Sequence, residues 1–304
     1  MKLAVPDLVS NSYFVAASAV ELGLLAREGL DVTLELVFPV DRAYRALRDG
    51  EVDFVAGSAH SMLAGFPEWR GAKLLCAQAQ GMYWFLVMRA DLAATRGDLS
   101  VVKGRRIGAA PWVDLGLRAL LRAGGIDPET EVQIAPVPGA AGAGVSFGVT
   151  AAGALERGEI DGFWANGMGA ETAVQRGSGT VVLDVRRGDG PDGVFDYTFA
   201  SLATTDALAG TEAAAAVVRA FVAAQAALKA DVTRAGDVGR ALFPPFEASL
   251  VEQLIRRDLP YYDAAITPHM IDGMSRFCLG MGLTTNEARY EDVVETRLAP
   301  LWAG

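Results

Sequence analysis

The sequence predicts an α/β protein of two related lobes followed by a helical C-terminal tail, and three observations carry that reading. Short apolar runs alternate with longer helical periods from the N-terminus to about Leu202. The pattern then turns almost wholly helical from Thr211, and one helix–turn–strand phrase occurs twice. A chain of 304 residues has the length of two domains or one large α/β unit.

The first strand is read at Lys2–Val5, and the helical period Ala16–Arg27 follows it. Val32–Leu36 alternates apolar and polar positions as a strand, and Arg42–Arg48 repeats its apolar residues at helical spacing. Phe54–Ala56 is a short apolar strand, Ser61–Phe66 a helix, and Leu74–Ala77 the continuous apolar run of a buried strand. The pattern then restarts with strand Arg106–Ala109, helix Leu115–Arg122, strand Val132–Ala135, helix Val149–Arg157, strand Gly162–Ala165, helix Met168–Arg176 and strand Val181–Val185. The tail divides into helices near Thr211–Ala230, Ala235–Leu242, Ala248–Arg257, Pro268–Met281 and Tyr290–Leu301, punctuated by Pro244-Pro245, Pro260 and Pro268.

The repeated phrase is ALRDGEVDFVAG at 46–57 and ALERGEIDGFWANG at 154–167. In each copy an amphipathic helix meets a glycine (Gly50, Gly158) suited to the left-handed position after a helix end, and Glu-apolar-Asp leads into an apolar strand. Similar stretches precede both copies, EGLDVTLELV at 28–37 and GGIDPETEVQIAPV at 124–137, which points to two homologous lobes.

Composition narrows the chemistry. With 51% hydrophobic and 21% charged residues the chain is a globular domain protein, not a disordered or fibrous one. Its formal net charge is −10, and its basic residues cluster no further than pairs such as Arg105-Arg106. Nucleic acid, whose binding is driven by phosphate neutralisation, is therefore excluded as a partner. Two histidines (His60, His269) and two cysteines (Cys76, Cys278) lie too far apart in sequence for a structural zinc motif, so no metal or other cofactor is expected. The uncharged run Val132–Leu155 is long enough to span a bilayer, but Pro136, Pro138 and its glycines make it a loop between elements, so no membrane insertion is expected. The N-terminus shows no apolar signal-peptide core. The expected location is the cytoplasm as the sequence stands, and the periplasm if an export signal has been removed.

Taken in order, Glu28-Gly29-Leu30-Asp31-Val32, the ALRDGEVDF turn, Lys103-Gly104-Arg105-Arg106-Ile107-Gly108 and ALERGEIDGFW resemble the type II periplasmic solute-binding fold. The likeness is to its nitrate/sulfonate/taurine-binding and thiamine-pyrimidine (NMT1/THI5-like) branch. That resemblance implies two Rossmann-like lobes with a ligand cleft between them, joined by crossing strands near Tyr83–Arg89 and Phe195–Leu202. Lobe one would hold 1–88 plus 200–304, and lobe two 89–199. The chain departs from the family in lacking an export signal and the cysteine-rich motif of the fungal pyrimidine-synthesis enzymes.

In parallel α/β sheets ligands bind outside the carboxyl ends of strands, so the strand-to-helix junctions supply the candidate site residues. After the first strand these are Asn11, Ser12 and Tyr13, where Asn11 and Ser12 fit either a helix cap or a ligand contact. After the third strand they are Ser58 and His60. Tyr83 and Trp84 sit at the first crossing, Asp196 and Tyr197 at the return. Trp112 and Asp114 follow the first strand of the second lobe, with Asp114 placed either to cap the next helix or to bind ligand. Trp164 and Asn166 close the second repeat. Three tryptophans at strand ends suit a flat or apolar-faced ligand held by stacking. Arg89 and Arg186 are the nearest cations along the chain. Pro136–Gly148, with Gly142-Ala143-Gly144, matches neither common phosphate-loop pattern and reads as a flexible loop lining the cleft.

The leading functional reading is a small-molecule-binding protein that closes on an organic, flat, aromatic or heterocyclic solute, as the substrate-binding component of an ABC importer with a permease as partner. Closure about the crossings is the mechanism it implies. The alternatives are a cofactor-free cytosolic lyase or decarboxylase on the same fold, using His60, Asp114 or Asp196 as general acid or base, and a cytosolic ligand sensor.

Overall fold

The computed structural model describes residues 1–141 and 146–303, and the chain divides into two compact units, Met1–Gly81 with Asp196–Gly304, and Met82–Phe195. The first unit opens with β1 (Lys2–Val5), α1 (Phe14–Glu21), α2 (Leu24–Arg27), β2 (Thr33–Leu36), α3 (Val40–Arg48), β3 (Phe54–Ser58), a 3₁₀ stretch at Ala59–Ala64 and β4 (Ala72–Ala79). The second unit holds β5 (Phe85–Arg89), β6 (Arg106–Ala109), α4 (Asp114–Ala123), β7 (Gln133–Ala135), α5 (Phe147–Glu156), β8 (Gly162–Ala165), α6 (Gly167–Gln175) and β9 (Gly179–Asp184). The chain then returns through β10 (Ala200–Thr205) to α7 (Asp206–Ala209), α8 (Glu212–Ala230), α9 (Thr233–Leu242), α10 (Pro245–Asp258), α11 (Pro268–Gly280) and α12 (Tyr290–Val293).

The two sheets have the same plan. The first runs β2-β1-β3-β10-β4 and the second β7-β6-β8-β5-β9. In each, the first three strands are parallel, and the fourth lies antiparallel between its neighbours. That fourth strand is the one that has just crossed from the other unit. The expected crossings are therefore full strands, β5 and β10, stitched into the sheets they enter. Their interior residues Leu86, Val87, Leu202 and Ala203 have no exposed surface. Because β5 pairs with β8 and β9, Phe85–Met88 belong to the second unit, whereas an 88/89 boundary assigns them to lobe one. Phe199, expected in lobe two, accepts the Ala59 N–H of the first unit at its carbonyl.

The repeated phrase folds identically in both copies. Gly50 and Gly158 adopt φ of 75° and 71°. The N–H groups of Glu51 and Glu159 reach back to the carbonyls of Ala46 and Ala154, at 2.9 and 3.0 Å, which closes each helix and turns the chain into the next strand. The period read as one helix over Ala16–Arg27 is broken into α1 and α2 at Gly23, whose φ of 67° is left-handed. The helix expected at Ser61–Phe66 is a 3₁₀ stretch that starts earlier, at Ala59.

In the tail, α8 is long and apolar enough to cross a membrane by length and composition, but it packs on α1, α2 and β4. Its Val218, Phe221, Ala224 and Leu228 are fully buried, and burying a side chain such as Phe221 contributes about 1.5–3 kcal/mol. It is a core helix of the first unit. Thr267 caps α11 by accepting the Met270 N–H at 3.3 Å, with Pro268 in the first turn, where its missing N–H costs nothing.

Candidate functional site

The carboxyl ends of β1 and β3 in the first unit carry the first group of candidates. The loop after β1 is a polar knot. Ser10 Oγ accepts the Ser12 N–H at 3.0 Å, and the Asn11 amide donates to the Asp258 carboxylate at the end of α10, 2.8 Å away. Neither Asn11 nor Ser12 caps α1: Tyr13 holds the cap position, with no side-chain cap bond. Ser12 is 5% exposed, and its hydroxyl has no hydrogen-bond partner among the described residues.

Ser58 ends β3, and its hydroxyl lies 2.7 Å from that of Ser61, while its carbonyl accepts the Tyr44 O–H at 3.1 Å. His60 has no exposed surface. Its Nδ1 meets the Thr198 hydroxyl at 3.0 Å, its Nε2 the Ser61 hydroxyl at 3.4 Å, and its ring stands edge-on to Phe277. Phe277 also stacks on Tyr197, with centroids 4.8 Å apart and planes 12° from parallel, and burial pushes the Tyr197 phenol up from its ordinary pKa. Asp196 takes a different partner, His269 on α11, at 3.2 Å. Its backbone seats against Gly273, where a side chain would collide with it.

In the second unit the equivalent strand ends bring the aromatics together. Tyr83 and Trp84 lie 5.1 Å apart by ring centroids, and Trp84 lies 6.0 Å from Trp164. Trp164 has no exposed surface and donates its indole N–H to the Val113 carbonyl at 3.2 Å, so it backs Trp84 and presents no face of its own. Gly116 on α4 leaves the room that the Trp84 ring and Met82 fill. Arg186, 4% exposed, carries its guanidinium carbon 5.5 Å from the Tyr83 ring centre, a cation–π contact that stiffens both groups. Trp112 is half-buried in the loop after β6 at φ 69°, a conformation that a bulky residue keeps only where its surroundings hold it.

Asp114, expected either to cap α4 or to bind ligand, and Asn166, expected to close the second repeat, take different roles. Asp114 is the first residue of α4, not its cap. That position belongs to Val113, and the Asp114 carboxylate pairs with Arg118 one turn on, at 2.9 Å. Asn166 caps α6, its Oδ1 accepting the N–H groups of Met168 and Gly169 at 3.1 and 3.2 Å. Of the two nearby cations, Arg89 lies at the opposite edge of the sheet from the aromatics and is tied to Asp91 and Asp161. Arg186 follows β9 on the aromatic side. Within the proline- and glycine-rich loop, Gly142-Ala143-Gly144 lies outside the described residues. Both cysteines are buried, and burial raises each thiol's pKa, so neither offers a thiolate.

The residues that sequence reasoning passed over are Ser61, Thr198, Asp258 and Phe277. Ser61 and Thr198 are chain neighbours of candidates and were within reach of that reading. Asp258 and Phe277 come from tail helices that only the folded chain brings to the site.

No protein-family model and no curated protein matches the sequence. Solved structures do match in shape. The alkanesulfonate-binding protein SsuA from Xanthomonas axonopodis pv. citri, bound to MOPS, superposes with a TM-score of 0.70 at 13% identity, over 98% of this chain and 96% of its own. The periplasmic nitrate-binding protein NrtA from Synechocystis PCC 6803 gives 0.69 at 13% identity, over 99% of this chain and 87% of its own. A cysteine-to-serine mutant of the desulfurization enzyme DSZB, in complex with biphenyl-2-sulfinic acid, gives 0.66 at 14% identity, over 98% and 97%. With its two sheets of matching strand order, the chain has the fold of the periplasmic solute-binding proteins.

Proposed function

We propose that this protein binds a small organic solute with a flat, aromatic or heterocyclic body and an anionic group, as the substrate-binding component of an ABC importer. The observation that carries the reading is the buried set Tyr83, Trp84 and Arg186 at the strand carboxyl ends of the second unit: two rings for the body of the ligand and a guanidinium for its charge. The polar loop Ser10–Ser12 supplies hydroxyl and amide groups at the strand carboxyl ends of the first unit. Binding then works by differential affinity, the liganded state being favoured by contacts made only in it. Solved relatives support the ligand class, since one is bound to MOPS, a heterocyclic sulfonate, and another to an aromatic sulfinic acid. Likeness to the periplasmic sulfonate-binding protein of a putative ABC transporter from Methylobacillus flagellatus KT, and to the periplasmic NrtA, supports a permease partner and a periplasmic place of action.

A second reading, an enzyme acting on an aromatic sulfur oxyanion, is favoured by the likeness to DSZB. The burial of both cysteines weighs against thiol chemistry in this chain. Isothermal titration against aromatic and heterocyclic sulfonates, sulfinates and carboxylates, with their neutral amides as controls, tests the binding reading, and mass spectrometry of each mixture reads turnover. Saturable binding of anions without product supports the importer component. Sustained product formation supports the enzyme.

A further inference from the structure

We propose that the first unit carries a second binding site, for a small zwitterion of the amino-acid class, at the edge of its sheet opposite the β1 and β3 loops. A cavity of about 540 Å³ opens there, within the size range of small-molecule sites. Its position follows from strand register. Thr205 pairs with Ala72 at this edge, whereas Ala200 pairs with Ser58 at the other, so the cavity residues Gly71 and Asp206 lie a full strand away from the candidate site above.

The walls are pinned in place. The Glu68 carboxylate accepts the Thr285 N–H at 2.8 Å, the Thr285 hydroxyl at 3.0 Å and the Asn286 amide at 3.3 Å. Lys73 donates to the carbonyls of Glu291 and Asp292 at 2.8 and 2.7 Å. Asp206 N–H bonds the Gly71 carbonyl at 2.9 Å. Glu68 and Trp69, adjacent and neither of them glycine, stand at φ 54° and 61°, a costly pair of conformations at the cavity wall.

The chemistry of the lining selects the ligand. Glu68 and Lys73 spend their charges on the walls, whereas the exposed side chains of Arg70, Asp206 and Glu287 make no hydrogen bond or ion pair with any described residue. One unspent guanidinium and two unspent carboxylates in one cavity match a molecule carrying a carboxylate and an ammonium group, as an amino acid does. Trp69, 5% exposed, forms part of the apolar floor with Val293 and Ala288.

The test is titration of the full chain with L-lysine and L-alanine, followed by the Trp69 indole N–H resonance, assigned by its loss in Trp69→Phe. Acetate and ethylammonium serve as single-charge controls. The expected result is saturable shifts with at least one amino acid, at least tenfold weaker in both Arg70→Gln and Asp206→Asn while circular dichroism and melting temperature stay at wild-type values. Three results would overturn the site: no saturable shift, equal shifts with acetate or ethylammonium, or binding that survives both substitutions but is lost in Trp84→Ala. The last would move the amino acid to the other edge. Binding of aromatic anions, read separately, is unaffected by the Arg70 and Asp206 variants, so failure here leaves the importer reading intact.

Discussion

Asp161 holds Arg106 three ways: its carboxylate accepts the Arg106 backbone N–H at 2.9 Å and the guanidinium at 3.1 Å, and its own N–H reaches the Arg106 carbonyl at 2.8 Å. In the other unit Asp53 makes the same backbone pair with Lys2, at 2.7 and 3.0 Å. The aspartate of each Glu-apolar-Asp triplet thus ties the central strand of its sheet to a parallel neighbour, β3 to β1 and β8 to β6.

Arg106's hydrogen bond, outweighing burial, holds the Asp161 carboxyl below the usual range. A carboxylate with a depressed folded pKa stabilises the fold above its unfolded value, about 3.9, and that contribution is lost as pH falls through the folded value. Asp161→Asn is expected to cost about 1–2 kcal/mol at neutral pH and close to nothing near pH 2. Urea unfolding at the two pH values checks it. An equal cost at both would show that the charge is irrelevant.

Gly50→Ala and Gly158→Ala each place a side chain at positive φ. Nothing lies within 4 Å of the Cβ added at Gly50, and only the far end of Arg89 approaches that at Gly158, so backbone strain sets the cost. Each is expected to lose about 1–2 kcal/mol, with the double variant additive. Chemical denaturation of the three variants reads the sum.

The repeat, legible as sequence, fixed the plan of both sheets, and β1, β6 and β8 fall where their apolar runs place them. What was not legible depends on pairing between distant segments. Phe85–Arg89 and Ala200–Thr205 look like ordinary apolar runs at the crossings, and only their antiparallel partners make them central strands. The site divides the same way. Trp84 and Trp164 announce themselves as aromatics at strand ends, and the structure places their rings 6.0 Å apart. Phe277 reaches His60 and Tyr197 from α11, more than 70 residues further along the chain, where no local pattern marks it.

Cys76 and Cys278 are expected to be inert to a disulfide reagent such as DTNB in the native protein and to react fully in denaturant, because burial disfavours both thiolates. The double variant Cys76→Ser, Cys278→Ser keeps ligand binding if it folds. Rapid native labelling that abolishes binding would return thiol chemistry to consideration.

Asp258→Ala removes the acceptor that orients Asn11 and is expected to destabilise the fold by about 1–3 kcal/mol. Asp258→Asn keeps the shape and isolates the loss of charge. Comparing ligand affinity in the two, each measured well below its own melting temperature, separates orientation of Asn11 from general stability.

The central claim, that rings and a guanidinium together take an aromatic or heterocyclic anion, is tested most directly by calorimetric titration of Arg186→Gln with the tightest-binding sulfonate and its neutral sulfonamide. The account predicts a loss of about tenfold to a hundredfold for the sulfonate, as expected for a charge-assisted contact of about 1.5–3 kcal/mol, and little change for the sulfonamide. Equal weakening of both ligands, or none, would contradict it.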